Sequence, residues 1–282
     1  MPVPSLSLTS SVVPSDLVQR DRVISIANQK GGVGKTTTAV NLAAALAILG
    51  CPTLLIDLDP QGNASTGLGI ERAARRGGTY ALLSQTALPK DVILPTQIDG
   101  LSLIPADPDL AGAEIELVSA HRREYHLRDA LAPLRTAASY RFTVIDCPPS
   151  LGLLTLNGLV AADSVLVPLQ CEFFALEGIS QLTRTIDLVK RVLNPGLSLD
   201  GIVLTMFDRR NNLSELVAAD ARSFFGDRVY ETIIPRNIRI SEAPSHGKPV
   251  LLYDQRSAGA QAYVRLAEEF VHRHQATGRS SS

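Results

Sequence analysis

Short runs of apolar and β-branched residues alternate along this chain with longer segments that carry apolar residues at helical spacing. Such alternation is typical of a mostly parallel sheet that helices cover on both faces. We therefore predict an α/β fold with a single doubly wound sheet. The predicted strands are residues 23–27, 53–57, 101–105, 142–146, 164–169, 201–206 and 229–234. The predicted helices are residues 36–49, 111–119, 126–138, 175–192, 213–225 and 260–272.

No linker divides this pattern, so residues 21–275 are expected to form one domain. With 282 residues and 45% hydrophobic content, the chain is long enough for one large core. Residues 1–20 are rich in Ser, Pro and Val and lack a basic segment before an apolar one, which predicts a disordered extension rather than a signal peptide. The small polar residues of 276–282 predict a flexible tail.

Composition narrows the classes of function. The formal net charge is −1, so any nucleic-acid binding must come from a local cationic patch. Cys51, Cys147 and Cys171 lie far apart without C-x-x-C spacing, which indicates reduced cytosolic thiols rather than disulfides or a zinc site. No segment approaches the ~18 consecutive apolar residues of a transmembrane helix.

A glycine-rich run lies between the first predicted strand and the first predicted helix. Its glycines let backbone N–H groups turn inward around phosphate oxygens, and the helix start adds the positive end of its dipole. Lys35 supplies a mobile cation, and the hydroxyl of Thr36 is placed to ligate Mg²⁺. The predicted phosphate-binding residues are Lys30, Gly31, Gly32, Val33, Gly34, Lys35, Thr36 and Thr37.

Carboxylates follow two of the buried runs. Asp57 and Asp59 stand at the end of the second predicted strand, and Asp146 ends the fourth. Parallel strands bring their carboxyl ends to the edge of the sheet where ligands bind. Asp146 matches the strand-terminal carboxylate that holds Mg²⁺ in enzymes with phosphate-binding loops. We predict Thr36, Asp57 and Asp146 as metal ligands, with the alternative that Asp57 only caps the next turn.

The phosphate loop departs from the common pattern G-x-x-x-x-G-K-[ST]. Gln29 replaces the first glycine, and a second lysine, Lys30, opens the loop. With Asp-x-Pro-Pro at 146–149, this run resembles the deviant Walker A class of P-loop ATPases, which includes the ParA and Soj partition ATPases, MinD and the nitrogenase iron protein. The resemblance implies ATP and Mg²⁺ as cofactors and a nucleotide-sandwich homodimer, in which Lys30 reaches the partner's phosphates. It also implies that Asp59 is the switch aspartate that orients or deprotonates the attacking water, beside Lys30 and Lys35 as catalytic residues.

The region 205–249 concentrates cations in loops that follow predicted strands. Scattered arginines are more often solvated surface, but phosphate-backbone binding needs a local patch of this kind. By resemblance to ParA and Soj proteins, Arg210 and Arg239 contact DNA without sequence preference, and Lys248 is a further candidate. Pro235 and Asn237 match that family's adenine-binding loop, with Met206 packed near the base.

The resemblance favours a ParA-type ATPase that binds nonspecific double-stranded DNA as an ATP dimer, drives chromosome or plasmid segregation, and releases DNA on hydrolysis. It implies a slow basal rate, a stimulating centromere-binding partner of the ParB or Spo0J type, and a cytoplasmic, nucleoid-associated protein without membrane binding.

Two alternatives share the nucleotide site. One is a MinD-like membrane-cycling regulator of cell division, although Glu268 and Glu269 interrupt any apolar face of the last helix. The other is a nucleotide-dependent iron–sulfur electron carrier. Cys147 follows the appropriate strand for it, but neither Cys51 nor Cys171 is an obvious second ligand.

Overall fold

A seven-stranded sheet forms the centre of the described part of the chain, which in this computed structural model comprises residues 21–75, 77–172 and 175–279. The strands are β1 (Arg22–Ile26), β2 (Thr53–Asp57), β3 (Leu94–Pro95), β4 (Leu101–Ile104), β5 (Phe142–Asp146), β6 (Ser164–Gln170) and β7 (Ser198–Thr205). Their order is β3-β4-β2-β5-β1-β6-β7, and every neighbouring pair is parallel except β3 with β4. The predicted fold class is confirmed.

Helices cover both faces of this sheet, so that β2 and β5 are buried along their whole length. This burial explains why these strands consist of continuous apolar and β-branched runs. The helices are α1 (Lys35–Ile48), α2 (Asn63–Gly67), α3 (Thr79–Leu83), α4 (Pro89–Val92), α5 (Leu110–Leu117), α6 (His126–Ala137), α7 (Leu153–Ala161), α8 (Ala175–Val192), α9 (Asn212–Phe225), α10 (Ile238–Glu242), α11 (Val250–Tyr253) and α12 (Ala258–Arg279).

Each face of the sheet has its own hydrophobic core. On one face α1 is buried along most of its length, although it has no single apolar stripe, because the sheet covers one side and α12 the other. The alanines of α1 allow α12 to approach closely, and Leu266 and Phe270 of α12 are fully buried there. On the opposite face, α3 and α5 to α9 enclose the second core.

The prediction of a strand at residues 229–234 is wrong. Val229 and Pro235 form only isolated parallel bridges, to Ile202 and Phe207 respectively. Between them, the amides of Glu231 and Thr232 donate to the carboxylate of Glu269 in α12, each at 2.9 Å. Because a helix side chain takes these two donors, they cannot continue a ladder beside β7.

The other predicted strands are present with ends that shift by a few residues, and all six predicted helices are present. The pattern missed the two-residue antiparallel strand β3 and the helices α2, α3, α4, α7, α10 and α11. Helix α12 runs to Arg279, so residues 276–279 of the expected tail are helical, whereas 1–20 and 280–282 lie outside the described residues. Among the described helices, none combines the length and apolar character that a membrane crossing needs.

Gly201 tests the packing that holds the segment after β7. A Cβ atom at this position would lie 2.5 Å from Cε2 of Tyr230 and 2.7 Å from the carbonyl oxygen of Arg228. We expect Gly201→Ala to lower the free energy of unfolding by about 1–3 kcal/mol, because neither the buried ring nor the backbone can yield freely. Thermal unfolding measures the effect, at about 2–4 °C per kcal/mol.

Gly196→Ala is the matched control, because a Cβ there meets nothing closer than Asn194 Oδ1 at 3.5 Å. Equal stability of the two variants would contradict the proposed steric conflict at Gly201.

Candidate nucleotide site

The predicted phosphate loop connects the end of β1 to the start of α1. Gly32 and Gly34 have φ angles of +76° and +88°, in the left-handed region that favours glycine. Helix α1 begins at Lys35, directly after this turn, so its first N–H groups face the space that the loop encloses. This geometry suits an anion such as a nucleotide phosphate.

Side chains from neighbouring strands hold the loop in place. Asn28 accepts a hydrogen bond from the Lys30 amide at 3.0 Å, and its Nδ2 donates to the Pro168 carbonyl of β6 at 2.8 Å. The hydroxyl of Thr205, at the end of β7, donates to the Val33 carbonyl at 2.8 Å. These contacts fix the position of the loop relative to β6 and β7.

Lys35 lies in a buried position beneath this loop. Its side chain is largely shielded from solvent, and Nζ donates to the carbonyl oxygen of Lys30 at 2.9 Å. Burial lowers the pKa of Lys35, whereas the nearby carboxylates of Asp146 and Asp59 act in the opposite direction. The ammonium group thus lies between the phosphate loop and the acidic residues, and its binding of phosphate stays a prediction.

The predicted metal ligand Asp146 ends β5, directly opposite Asp57 of β2 in the parallel register. Asp146 is fully buried, and neither of its carboxylate oxygens has a hydrogen-bond partner within the described part of the chain. Burial and the charge of Asp57 raise the pKa of Asp146 well above its ordinary value, while the nearby Thr36 hydroxyl and Lys35 lower it. An unpaired buried carboxylate is costly, so these surroundings fit a hard cation such as Mg²⁺.

Asp57 has very different surroundings. Its Oδ2 accepts hydrogen bonds from the amide and hydroxyl of Ser65 at 2.8 and 2.6 Å, and its Oδ1 accepts one from the Asp59 amide at 3.3 Å. Burial raises the pKa of Asp57 to about 6, although the hydrogen bonds from Ser65 lower it. Metal ligation by Asp57 stays a prediction, because its oxygens already serve the loop that follows β2.

The predicted switch residue Asp59 lies at the start of that loop. It is largely buried, and its Oδ1 accepts a hydrogen bond from the Gln61 amide at 3.0 Å. Its charge acts on both Lys35 and Asp146. The structure therefore brings Asp59 to the same acidic edge as the metal-ligand candidates.

A cavity of about 530 Å³ opens beside the phosphate loop. Gly34 and Thr37 line one part of it, and the predicted base-binding residues Met206, Pro235 and Asn237 line another. The position of these three residues fits a nucleoside attached to phosphates in the loop.

Backbone contacts shape the base-binding part of this cavity. Met206 has a φ angle of +51°, which is uncommon for a residue with a side chain. After it, the Phe207 amide donates to Ile234 and the Arg236 amide donates to Phe207, at 3.1 and 2.9 Å. The side chain of Asn237 accepts from the Arg239 amide at 2.9 Å and so starts α10.

Several residues that line this cavity were not predicted from the sequence, and one of them comes from a helix that is distant in the chain. Tyr263, on the C-terminal helix α12, lines the cavity while being almost fully buried. Its hydroxyl lies 3.5 Å from that of Thr38 in α1. A tyrosine in the apolar stripe of a core helix is the signal that was available, because a buried phenol needs a polar neighbour.

Lys30 does not point freely into solvent. Its Nζ pairs with Glu172 Oε2 at 2.8 Å, and the two side chains are 41% and 47% exposed. Pairs exposed to this extent contribute about 0–1 kcal/mol, so the lysine can leave Glu172 at little cost. Phe173 and Phe174, which follow Glu172, lie outside the described residues.

The predicted DNA-contacting residues lie close in sequence to residues that line the cavity. Arg210 is 88% exposed at its side chain and pairs with Asp208 at 3.1 Å. Arg239 belongs to α10 and pairs with Glu242 at 2.9 Å and Asp254 at 3.4 Å. Lys248 is exposed just beyond α10. All three cations reach solvent, but carboxylates already neutralise both arginines in part.

The three cysteines are buried and unbonded to one another. Burial raises the pKa of Cys51, and raises those of Cys147 and Cys171 to about 12. Within residues 21–75, 77–172 and 175–279, no group of three or more His, Cys, Asp and Glu side chains is arranged to hold a metal ion.

Known proteins share both the sequence and this architecture. Residues 21–199 match the family described as AAA domain. The chromosome partitioning protein ParA of Caulobacter vibrioides (strain NA1000 / CB15N) is 60% identical over 252 residues, which cover 89% of this chain and 94% of that protein. The chain belongs to the ParA and Soj family of chromosome-partitioning ATPases. The family resemblance predicted from the phosphate loop is confirmed.

One further curated protein and one solved structure are also similar to this chain. The sporulation initiation inhibitor protein Soj of Bacillus subtilis (strain 168) is 54% identical over 248 residues, which cover 88% of this chain and 97% of that protein. A solved structure of cobyrinic acid a,c-diamide synthase from Mycobacterium smegmatis, with bound ATP analog and magnesium, is 40% identical. It has a TM-score of 0.78 and covers 92% of this chain and 97% of its own. The ParA and Soj proteins share more of the sequence.

The cysteines provide a test of how well the two hydrophobic cores exclude solvent. We expect all three thiols to react slowly with an aromatic disulfide reagent at mildly alkaline pH, and quickly once guanidinium chloride unfolds the chain. The thiolate is the nucleophile, and burial both blocks the reagent and raises the thiol pKa. Counting released chromophore under the two conditions measures this. Fast reaction of Cys147 in the folded protein would contradict its burial beside Asp146.

Proposed function

We propose that this ParA and Soj family member is a Mg²⁺-dependent ATPase that works as a dimerising switch on DNA. The observation that carries the proposal is the meeting of Lys35, Asp59 and Asp146 beside the phosphate loop. Gly34, next to Lys35 in that loop, lines a cavity whose volume suits a nucleoside. The relatives' names, which refer to chromosome partitioning and to an ATPase, support the same activity.

The phosphate loop would hold the ATP phosphates through the backbone N–H groups of residues 30–37 and the ammonium of Lys35. Thr36 and Asp146 would hold Mg²⁺, which supplies positive charge to the phosphate oxygens during transfer. The donor set of a hydroxyl and a carboxylate is the kind that Mg²⁺ prefers. Met206, Pro235 and Asn237 would contact the adenine base.

Asp59 would orient the attacking water or accept its proton. It fits this task because it lies at the acidic edge and reaches Lys35 and Asp146 electrostatically. Lys35 would stabilise the charge that develops on the transferred phosphoryl group. Lys30 would leave Glu172 and reach the phosphates of a second subunit, which makes the dimer dependent on ATP.

DNA binding would follow from dimerisation. Each chain contributes Arg210, Arg239 and Lys248, and a dimer doubles the number of phosphates that can be neutralised. Since counterion release scales with that number, binding should be tight only for the dimer and sensitive to salt. Hydrolysis would dissolve the dimer and release DNA. A centromere-binding partner of the ParB type would stimulate this step, and the protein would act in the cytoplasm at the nucleoid.

The proposed role of Lys30 in dimerisation can be tested separately from nucleotide binding. We expect Lys30→Gln to bind ATP within one subunit but to lose ATP-dependent dimerisation, because the amide cannot offer a cation to the partner's phosphates. Light scattering coupled to gel filtration, with ATP, ADP and no nucleotide, measures the mass. Lys90→Gln, at an exposed position in α4, is the control. A Lys30→Gln variant that dimerises with ATP as the wild type does would contradict this role.

The central experiment measures binding to nonspecific duplex DNA across a salt series, with ATP, ADP and no nucleotide. We expect tight binding only with ATP, with an affinity that falls steeply as salt rises. Arg239→Ala should weaken binding uniformly across sequences. It should also reduce the salt slope by about 1 for each DNA phosphate that the variant no longer neutralises.

The control for this experiment is Arg184→Ala. Arg184 is an exposed arginine on α8, which packs on the opposite face of the sheet from α10 and α12. Absence of DNA binding with every nucleotide would contradict the proposed switch, and binding to anionic lipid vesicles instead would favour the membrane-cycling alternative. Equal losses of affinity for Arg184→Ala and Arg239→Ala would contradict the proposal that Arg239 belongs to a DNA-binding face.

A further inference from the structure

The carboxylate of Asp57 joins the two ends of the loop that carries Asp59. Asp57, at the end of β2, accepts both the amide and the hydroxyl of Ser65, at 2.8 and 2.6 Å. The same carboxylate accepts the amide of Asp59 at 3.3 Å. The two ends of the loop 57–65 therefore meet at Asp57, and Asp59 is attached to the same point.

The hydroxyl of Ser65 links this closure to the neighbouring strand. Besides donating to Asp57, it accepts a hydrogen bond from the Ala106 amide, just after β4, at 3.1 Å. Thr79 adds a further contact, since its hydroxyl donates to the Asp57 carbonyl at 2.8 Å. Asp57, Ser65 and Thr79 are all fully buried. In such surroundings, removal of any partner leaves a polar group without water to replace it.

Asp57 and Asp146, which are paired in the register of β2 and β5, differ in the hydrogen bonds that they accept. Asp146 has no hydrogen-bond partner within the described residues and lies near Thr36 and Lys35. Asp57 receives its donors from Ser65 and Asp59, on the loop that follows it. The hydrogen bonds thus turn Asp57 toward the loop and leave Asp146 available to the phosphate site.

We propose that Ser65 is a positioning residue for ATP hydrolysis, because it holds the Asp57 carboxylate in the orientation that fixes the backbone of Asp59. The inference rests on the proposed function of Asp59 in hydrolysis. Ser65 itself touches neither nucleotide nor water in this scheme. It sets the geometry of the group that does.

The expected effect follows from how steeply reaction rates depend on geometry. A displacement of about 1 Å at a reacting group can cost a factor of ~100 in rate. Removal of one of the hydrogen bonds on Asp57 would loosen the loop rather than dismantle it, so we expect a decrease in kcat of about tenfold. Nucleotide affinity should change little, because the phosphate loop is held by Asn28 and Thr205 instead.

The test uses the full chain and compares Ser65→Ala, Ser65→Thr and Asp59→Ala with the wild type. Phosphate release gives kcat and KM for MgATP, and a fluorescent ATP analog gives nucleotide affinity. Hydrogen exchange of peptides that cover 57–66 reports on the loop directly. Thr66→Val is the matched control, because it removes a hydroxyl from the same helix, bonded to Gly62 and Arg75 and not to Asp57.

Support requires four results together. Ser65→Ala lowers kcat about tenfold, with KM and affinity within about twofold of the wild type. Its loop exchanges faster, Ser65→Thr restores the rate, and Thr66→Val behaves like the wild type. If Ser65→Ala does not fold, Asp57→Asn replaces it, since the amide keeps the size of the side chain but loses one acceptor oxygen.

Two results would overturn the inference while leaving the proposed function intact. One is an unchanged kcat in Ser65→Ala or Asp57→Asn when Asp59→Ala abolishes hydrolysis. The other is a parallel loss of affinity and rate, which a merely structural residue would produce. Continued hydrolysis by Asp59→Ala has a different meaning, because it removes the proposed function of Asp59 itself.

Discussion

The parallel pairing of β5 between β1 and β2 is the constraint on which the site depends. It sets the ends of these strands side by side, so that Ile26, Asp57 and Asp146 stand at one edge, next to the loop that begins α1. Charges held this close in a poorly solvated space interact far more strongly than they do in water. The surrounding packing must therefore hold the carboxylates and the ammonium of Lys35 in place.

The groups proposed to bind nucleotide and those proposed to bind DNA are held by different kinds of contact. Backbone and side-chain hydrogen bonds from β6 and β7 fix the phosphate loop, and hydrogen bonds to Asp57 fix the loop that carries Asp59. The cationic segments, by contrast, hold their arginines through exposed ion pairs of small energetic value. The nucleotide site is thus held by buried hydrogen bonds, whereas the groups proposed for DNA can change partners at little energetic cost.

Sequence patterns predicted the parts of the molecule whose cause is local. Buried parallel strands need continuous apolar runs, so β2 and β5 were predicted correctly. The glycines at fixed offsets likewise indicated a turn between β1 and α1, and the structure has one there. The segment 229–234 was misassigned because Glu269, distant in sequence, accepts the amides of Glu231 and Thr232 in its middle. For the same reason the sequence could not show which hydrogen bonds Asp57 and Asp146 receive, or that Tyr263 lines the cavity. Their surroundings exist only once the chain has folded.

The position of Tyr263 affects how this protein is made. The cavity beside the phosphate loop is bounded by residues near the beginning of the domain and by a side chain of its last helix. During synthesis, a chain that has grown only as far as residue 257 already contains the entire sheet and the phosphate loop, but lacks this wall. The wall that Tyr263 forms is therefore completed only after α12 has been synthesised and has packed against α1.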